Sequence, residues 1–264
     1  FVSAVLGGML NGLQRFEQLS ATQVLNSLVK LLFGIGLVLL GFGVLGAILG
    51  LVFASIATLS ASLFFLRCLF KEKSESVSGV KIASYSIPVL ASTALLAIMV
   101  NADIILVKHF FPSRDAGFYV AASTLTKVIL WASGALLIAM FPKVSDMNAK
   151  NSSPAKLLRS TLCYILLLSF LTVALLFLAP KWVTLLVFGE KFEEASALML
   201  PFAAAISLYS LSNAFIRYDL AVARFSFLYP LCLASACEIA LIALFHSSLL
   251  QVIRILIAIN AVLL

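Results

Sequence analysis

Long uncharged runs separated by short polar breaks organise this chain. From Leu31 to Leu66, 36 residues pass without a charged side chain. As one α-helix at about 1.5 Å per residue, that run would far exceed the ~30 Å hydrocarbon core of a bilayer. Gly41, Gly43 and Gly46 lie at its middle, so the pattern predicts two helices, near 25–42 and 45–66, joined by a glycine turn. Charge gaps and turn residues extend the reading to spans near 83–108, 117–141, 157–179, 196–217, 226–245 and from 250 onward, eight in all. Residues 1–20 read as the end of another helix running into an amphipathic stretch, with Leu10, Leu13, Phe16 and Leu19 at helical spacing beside Asn11, Gln14, Arg15 and Glu17. Continuous apolar runs without alternation exclude a β-barrel.

Composition turns this pattern into a class. With 63% hydrophobic and 11% charged residues among 264 and a mean hydropathy of +1.15, the chain lacks the polar material to cover a solvated surface. A water-soluble enzyme is excluded, and an all-α polytopic membrane protein is expected. The net charge of +7 would suggest nucleic acid in a soluble protein. Here it points to basic loops facing anionic lipid, and no nucleic-acid partner is expected. The chain begins at Phe1 and stops inside an apolar run, Ile255 to Leu264, and reads as a fragment. Cys68, Cys163, Cys232 and Cys237 form no metal spacing with His109 or His246, so neither metal nor cofactor is expected.

Loop charge predicts an orientation. Eleven cations fall in every second loop: Arg15; Arg67, Lys71, Lys73 and Lys81; Lys143, Lys150, Lys156 and Arg159; Arg217 and Arg224. The opposite loops hold four, Lys108, Arg114, Lys181 and Lys191. The positive-inside rule makes the first set cytoplasmic, and the sequon-like Asn151-Ser152-Ser153 then falls on the cytoplasmic side as a chance match.

Five ionisable residues remain inside spans: Lys30, Asp103, Lys127, Glu238 and Arg254. Such groups are costly in hydrocarbon and commonly mark transport pathways. Lys30 and Arg254 lie near the ends of their predicted helices, where a snorkelling side chain is an equal reading. Lys127 and Glu238 are central, which favours a cavity or a buried partner. For Asp103, a helix-packing role stands beside a functional one. Three cations against two anions suggest a cavity suited to an anionic headgroup such as a pyrophosphate. Asp103 and Glu238 read equally as ion-coupling carboxylates. Pro88, Pro201 and Pro230 admit kinks, and Gly46-Ala-Ile-Leu-Gly50 has the small-xxx-small spacing of close helix contact. No constellation for bond-making chemistry stands out. Glu190, Glu193 and Glu194 share one outer loop as a solvated cluster. Arg15-Phe16 and Arg224-Phe225 each precede a helix pair, followed at a similar distance by Lys30 and Glu238. This faint internal echo fits two parallel repeats.

The stretch from Asn101 to Lys143 resembles the polysaccharide biosynthesis family of lipid-linked oligosaccharide flippases, relatives of the multidrug and toxin extrusion transporters. Its carriers are Asn101 and Asp103, Phe110-Phe111, Ala116-Gly117-x-Tyr119 and Phe141-Pro142. Phe188-Gly189-Glu190-Lys191-Phe192 leading into Leu200-Pro201, and Gly12-Leu13-Gln14, add to them. The resemblance implies twelve to fourteen helices in two lobes that alternately open a central cavity. On that reading, residues 1–70 end an N-terminal lobe, 71–82 form a cytoplasmic linker and 83–264 form a truncated six-helix C-terminal lobe. It also implies transport of polyprenyl-pyrophosphate-linked oligosaccharide to the outer leaflet of the cell membrane, inner or plasma, without enzymatic activity. Lys30, Lys127 and Arg254 would then meet the pyrophosphate, and Asn101, Ser123 and Thr124 the sugars, beside the bilayer and polysaccharide-assembly proteins as partners. Alternatives are an ion-coupled multidrug or cation antiporter, an integral-membrane glycosyltransferase or polymerase, and a non-transporting scaffold. The family often has Gly-Lys or Gly-Arg before the penultimate helix pair, where this chain has Ala223-Arg224.

Overall fold

The structure, a computed structural model, describes residues 2–67, 79–150 and 152–264, without the side chains of residues 79–82. Among the described residues the regular elements are helices and none is a strand, as the long apolar runs require. The chain divides into two compact units, Phe1–Ser76 and Val77–Leu264. Of the residues read as a linker, 71–78 lie outside the described ones, as do Cys68 and Asn151, while residues 79–82 belong to a helix.

The first unit holds α1 (Val2–Gly12), α2 (Phe16–Leu37) and α3 (Gly43–Leu66). The predicted glycine hairpin is a π-helical turn, Val38–Phe42. There Gly41 takes φ +92° and Gly43 φ +52°, conformations that glycine reaches without a Cβ penalty. Gly46 lies outside the turn, inside α3. A Cβ added to it would sit 2.8 Å from the Leu37 carbonyl carbon, and one added to Gly50 would sit 2.7 Å from Gly34 Cα. The small-xxx-small spacing thus marks the contact of α3 with α2, and Asn26 Nδ2 donates to Thr58 Oγ1 across it at 2.8 Å. Buried Leu6, Leu10 and Leu66 pack α1 beneath this pair.

α2 begins nine residues before the predicted start, because the break falls at Gln14 rather than among the later polar residues. Gln14 adopts φ +58°, its N–H reaches the Asn11 carbonyl at 2.9 Å, and Arg15 N–H reaches the Leu10 carbonyl at 3.0 Å. This is a Schellman-type helix stop. Lys30 therefore stands deep inside its helix, fourteen residues after Phe16, and not near its end as the predicted boundary placed it.

The second unit comprises α4 (Gly79–Phe110), α5 (Ser113–Thr126), α6 (Val128–Ala149), α7 (Ala155–Leu178), α8 (Pro180–Phe188), α9 (Ser196–Ala221), α10 (Leu228–Leu244) and α11 (Leu249–Leu263). The predicted span at 117–141 is α5 and α6 in near continuity, interrupted at Lys127, where ψ falls to −7°. α9 is the hub, packing on α5, α6, α7, α8 and α11, while α4 pairs with α10. Phe202, Ala203, Ile206, Ala214 and Ile216 bury several faces of α9, as expected of a helix apolar all round. Pro201 lies inside this helix and Pro88 inside α4. Pro230 sits in the first turn of α10, where no intrahelical donor is lost.

The Arg-Phe echo has a structural counterpart. Ala223 takes φ +56°, its N–H reaches Leu220 at 3.1 Å, and Arg224 N–H reaches Asp219 at 2.8 Å. α9 therefore ends on the same Schellman-type stop as α1, each directly before Arg-Phe and a helix pair. Gln14 and Ala223 are the non-glycine residues with positive φ among the described residues.

Among the described residues, five helical stretches are long and apolar enough to cross a membrane: Phe16–Leu66, Ala83–Phe110, Ser113–Ala149, Ala155–Leu178 and Glu190–Ala221. The first of these is α2 folded back on α3. α10 and α11, with 17 and 15 residues, are shorter apolar helices at the last two predicted spans. Large apolar side chains point outward along these helices, as at Trp131, Phe170 and Leu178, which suits a surface bathed in lipid.

Candidate functional site

Ionisable side chains gather inside the second unit, where α4, α5 and α10 bring carboxylates and a phenol together. Asp103, on α4, is 2% exposed. Its Oδ2 accepts a 2.8 Å hydrogen bond from the Tyr119 hydroxyl of α5, while Oδ1 has no hydrogen-bond partner. Glu238, on α10, is fully buried, and among the described residues neither of its carboxyl oxygens finds a hydrogen-bond partner. The two carboxyls interact electrostatically, and Glu238 also acts on the hydroxyls of Tyr119 and Tyr209. Lys127, half-buried at the junction of α5 and α6, is the cation that acts on Asp103. Buried polar groups left unmatched are costly, so this cluster is held in place by the surrounding fold rather than by its own bonds.

Of the residues singled out by sequence, the structure thus unites Asp103, Glu238 and Lys127. Ser123 is buried on α5 with its Oγ unpartnered. Asn101 and Thr124 are exposed and return their side-chain donors to their own helices, at Ala97 and Val120. Arg254 is exposed on α11. Lys30 is exposed on α2, in the other unit.

Several participants escaped the sequence reading. Tyr119 was visible only as a motif position, because a phenol carries no charge to flag it. Arg217 was counted with the loops, yet it lies inside α9, four residues before the helix ends at Ala221. It belongs to the face Tyr209, Asn213 and Arg217, spaced four residues apart, a period that could have revealed it. The Glu190, Glu193 and Glu194 loop is a 3₁₀ turn. Glu194 pairs with Arg114 at 2.7 Å and Glu193 with Lys181 at 2.7 Å. The second hydrogen bond holds the Lys181 ammonium above the ordinary lysine pKa. These pairs are exposed and contribute little energy each.

Helices that cross a bilayer several times and carry ionisable groups in their interior define a multi-pass membrane protein. The sequence profile of a polysaccharide biosynthesis protein family matches residues 2–197, and the chain belongs to that family. Asp103, Tyr119 and Lys127 lie within the matched region; Arg217, Glu238 and Arg254 lie beyond it. No curated protein and no solved structure matches the chain.

Proposed function

We propose that this protein is a flippase that carries polyprenyl-pyrophosphate-linked oligosaccharide from the cytoplasmic to the outer leaflet of the cell membrane by alternating access. The carrying observation is membership of a polysaccharide biosynthesis family by a chain that is almost entirely membrane helix. A protein with so little polar surface acts on polysaccharide assembly where the intermediate is itself a membrane lipid, and the step needed there is transfer between leaflets rather than bond formation. In this reading Lys127 and Arg254 attract the pyrophosphate. Asn101, Ser123 and Thr124 serve the sugars, the lipid tail stays in the bilayer, and polysaccharide-assembly proteins supply and receive the cargo.

Buried Asp103 and Glu238 favour coupling to an ion gradient, because carboxyl oxygens with no hydrogen bond, one on Asp103 and both on Glu238 among the described residues, can take up and release a cation as their surroundings change. The same feature supports the second reading, an ion-coupled multidrug or cation antiporter. Translocation of a fluorescent lipid-linked oligosaccharide in proteoliposomes separates them. Lys127→Ala should abolish it at unchanged expression, and normal transport would remove Lys127 from the mechanism. Drug-resistance complementation that is lost in Asp103→Asn would instead favour the antiporter.

A further inference from the structure

Arg217 is a cation in search of a counter-charge. It is half-buried on α9, about 6 Å from the helix end at ~1.5 Å per residue. Its Nε donates to Asn213 Oδ1 at 3.1 Å, and Asn213 is only 5% exposed. One turn further along the same face, Tyr209 is anchored to α4 by its hydroxyl, which donates to the Leu96 carbonyl at 3.0 Å. Among the described residues no carboxylate lies within ion-pair distance of Arg217. Asp219, two residues on, projects to another side of the helix and interacts with Arg224.

A guanidinium has two edges that can grip an oxyanion. Asn213 occupies the Nε edge, and among the described residues the Nη1–Nη2 edge makes no hydrogen bond; that edge matches two oxygens of a phosphoryl group. Arg217 is half-buried, so a phosphoryl group at that edge meets a guanidinium that the fold partly shields from water, where its attraction is stronger than in bulk solvent. We infer that Arg217 binds the pyrophosphate of a lipid carrier, with Asn213 as the positioning residue that aims the fork. This rests on the flippase reading and adds to it a residue outside the family-matched region. Phosphoryl oxygens could also come from an ordinary anionic phospholipid, and the test separates the two.

The full chain in phosphatidylcholine nanodiscs is titrated with radiolabelled farnesyl pyrophosphate, with farnesol, inorganic pyrophosphate and phosphatidylglycerol as comparison arms. Arg217→Ala should weaken farnesyl pyrophosphate binding by about tenfold or more, the loss typical of a charged hydrogen-bonding group. Arg217→Lys should also weaken it, since lysine lacks the fork. Asn213→Asp guards against misfolding: it sets a carboxylate on the guanidinium, keeps shape and helix, and should lose farnesyl pyrophosphate while farnesol binding stays unchanged. Inorganic pyrophosphate that displaces farnesyl pyrophosphate but not farnesol in the wild type supports the anion site. Wild-type affinity in Asn213→Asp overturns it, and equal competition by phosphatidylglycerol overturns the assignment to a pyrophosphate. Proteoliposome translocation keeps the two proposals apart. Arg217-dependent binding in a protein that never translocates lipid-linked oligosaccharide sinks the flippase reading and leaves the site. Translocation with Arg217-independent binding does the reverse.

Discussion

Ala223 carries a left-handed backbone with a Cβ attached, at φ +56°. That conformation costs an L-residue about 1–2 kcal/mol, more than the ~0.5–1 kcal/mol of extra chain entropy that glycine loses on folding. Ala223→Gly should therefore raise the melting temperature of the detergent-solubilised protein, and a fall would show that the alanine methyl makes a contact worth more than the strain. The departure from the family's glycine, visible in sequence as an oddity, thereby acquires a physical content that no composition argument could supply. Tyr119 offers the opposite case. Tyr119→Phe leaves both Asp103 oxygens without a donor, an expected loss of about 1–3 kcal/mol readable by the same melting measurement. Glu238→Gln keeps the size of a buried carboxyl that lacks any hydrogen bond among the described residues but cannot ionise, so it should melt no lower while lipid-linked oligosaccharide transport falls. A lower melting point would mean that the carboxylate is a structural member of the bundle. Sequence located Asp103, Lys127 and Glu238 because charge is rare here. Their grouping was not legible, since it depends on helix rotation and on neutral Tyr119.

At the scale of elements, the contact of α2 with α3 is lopsided in a way that mutation can read. A Cβ on Gly50 would collide with the Gly34 backbone at 2.7 Å, whereas a Cβ on Gly34 would meet nothing within 4 Å. Gly50→Ala should thus separate the helices and destabilise the first unit by about 1–3 kcal/mol, the usual cost of overpacking. Gly34→Ala should be neutral or slightly stabilising through helix propensity. Equal effects in a thermal-unfolding comparison would contradict the interface described. Helix existence and the glycine hairpin were plain from the apolar runs. The stops at Gln14 and Ala223 were hidden because neither residue belongs to the types that favour positive φ. The interruption at Lys127 was hidden because α5 and α6 share one apolar run.

For the whole molecule, the asymmetry of loop cations sets an orientation that labelling can test. In a cysteine-free background, Lys191→Cys should react with an impermeant maleimide on intact cells and Lys156→Cys only after lysis; the reverse pattern would invert the topology and with it the direction proposed for transport. The fold class was legible from composition alone, because 11% charge leaves no soluble alternative. The role in polysaccharide biosynthesis was legible only through the family, since lipid-facing residues carry no information about function. The turn at Val38–Phe42 has a further meaning for biogenesis. Between Lys30 and Arg67 neither a charge nor a polar loop marks where one helix ends and the next begins, so the glycine turn alone separates α2 from α3 as the chain is inserted. The pair must enter the bilayer as a preformed hairpin, its glycines bending the nascent chain before either helix is threaded. Its direction is dictated by the cations that flank it, Arg15 on one side and Arg67 on the other.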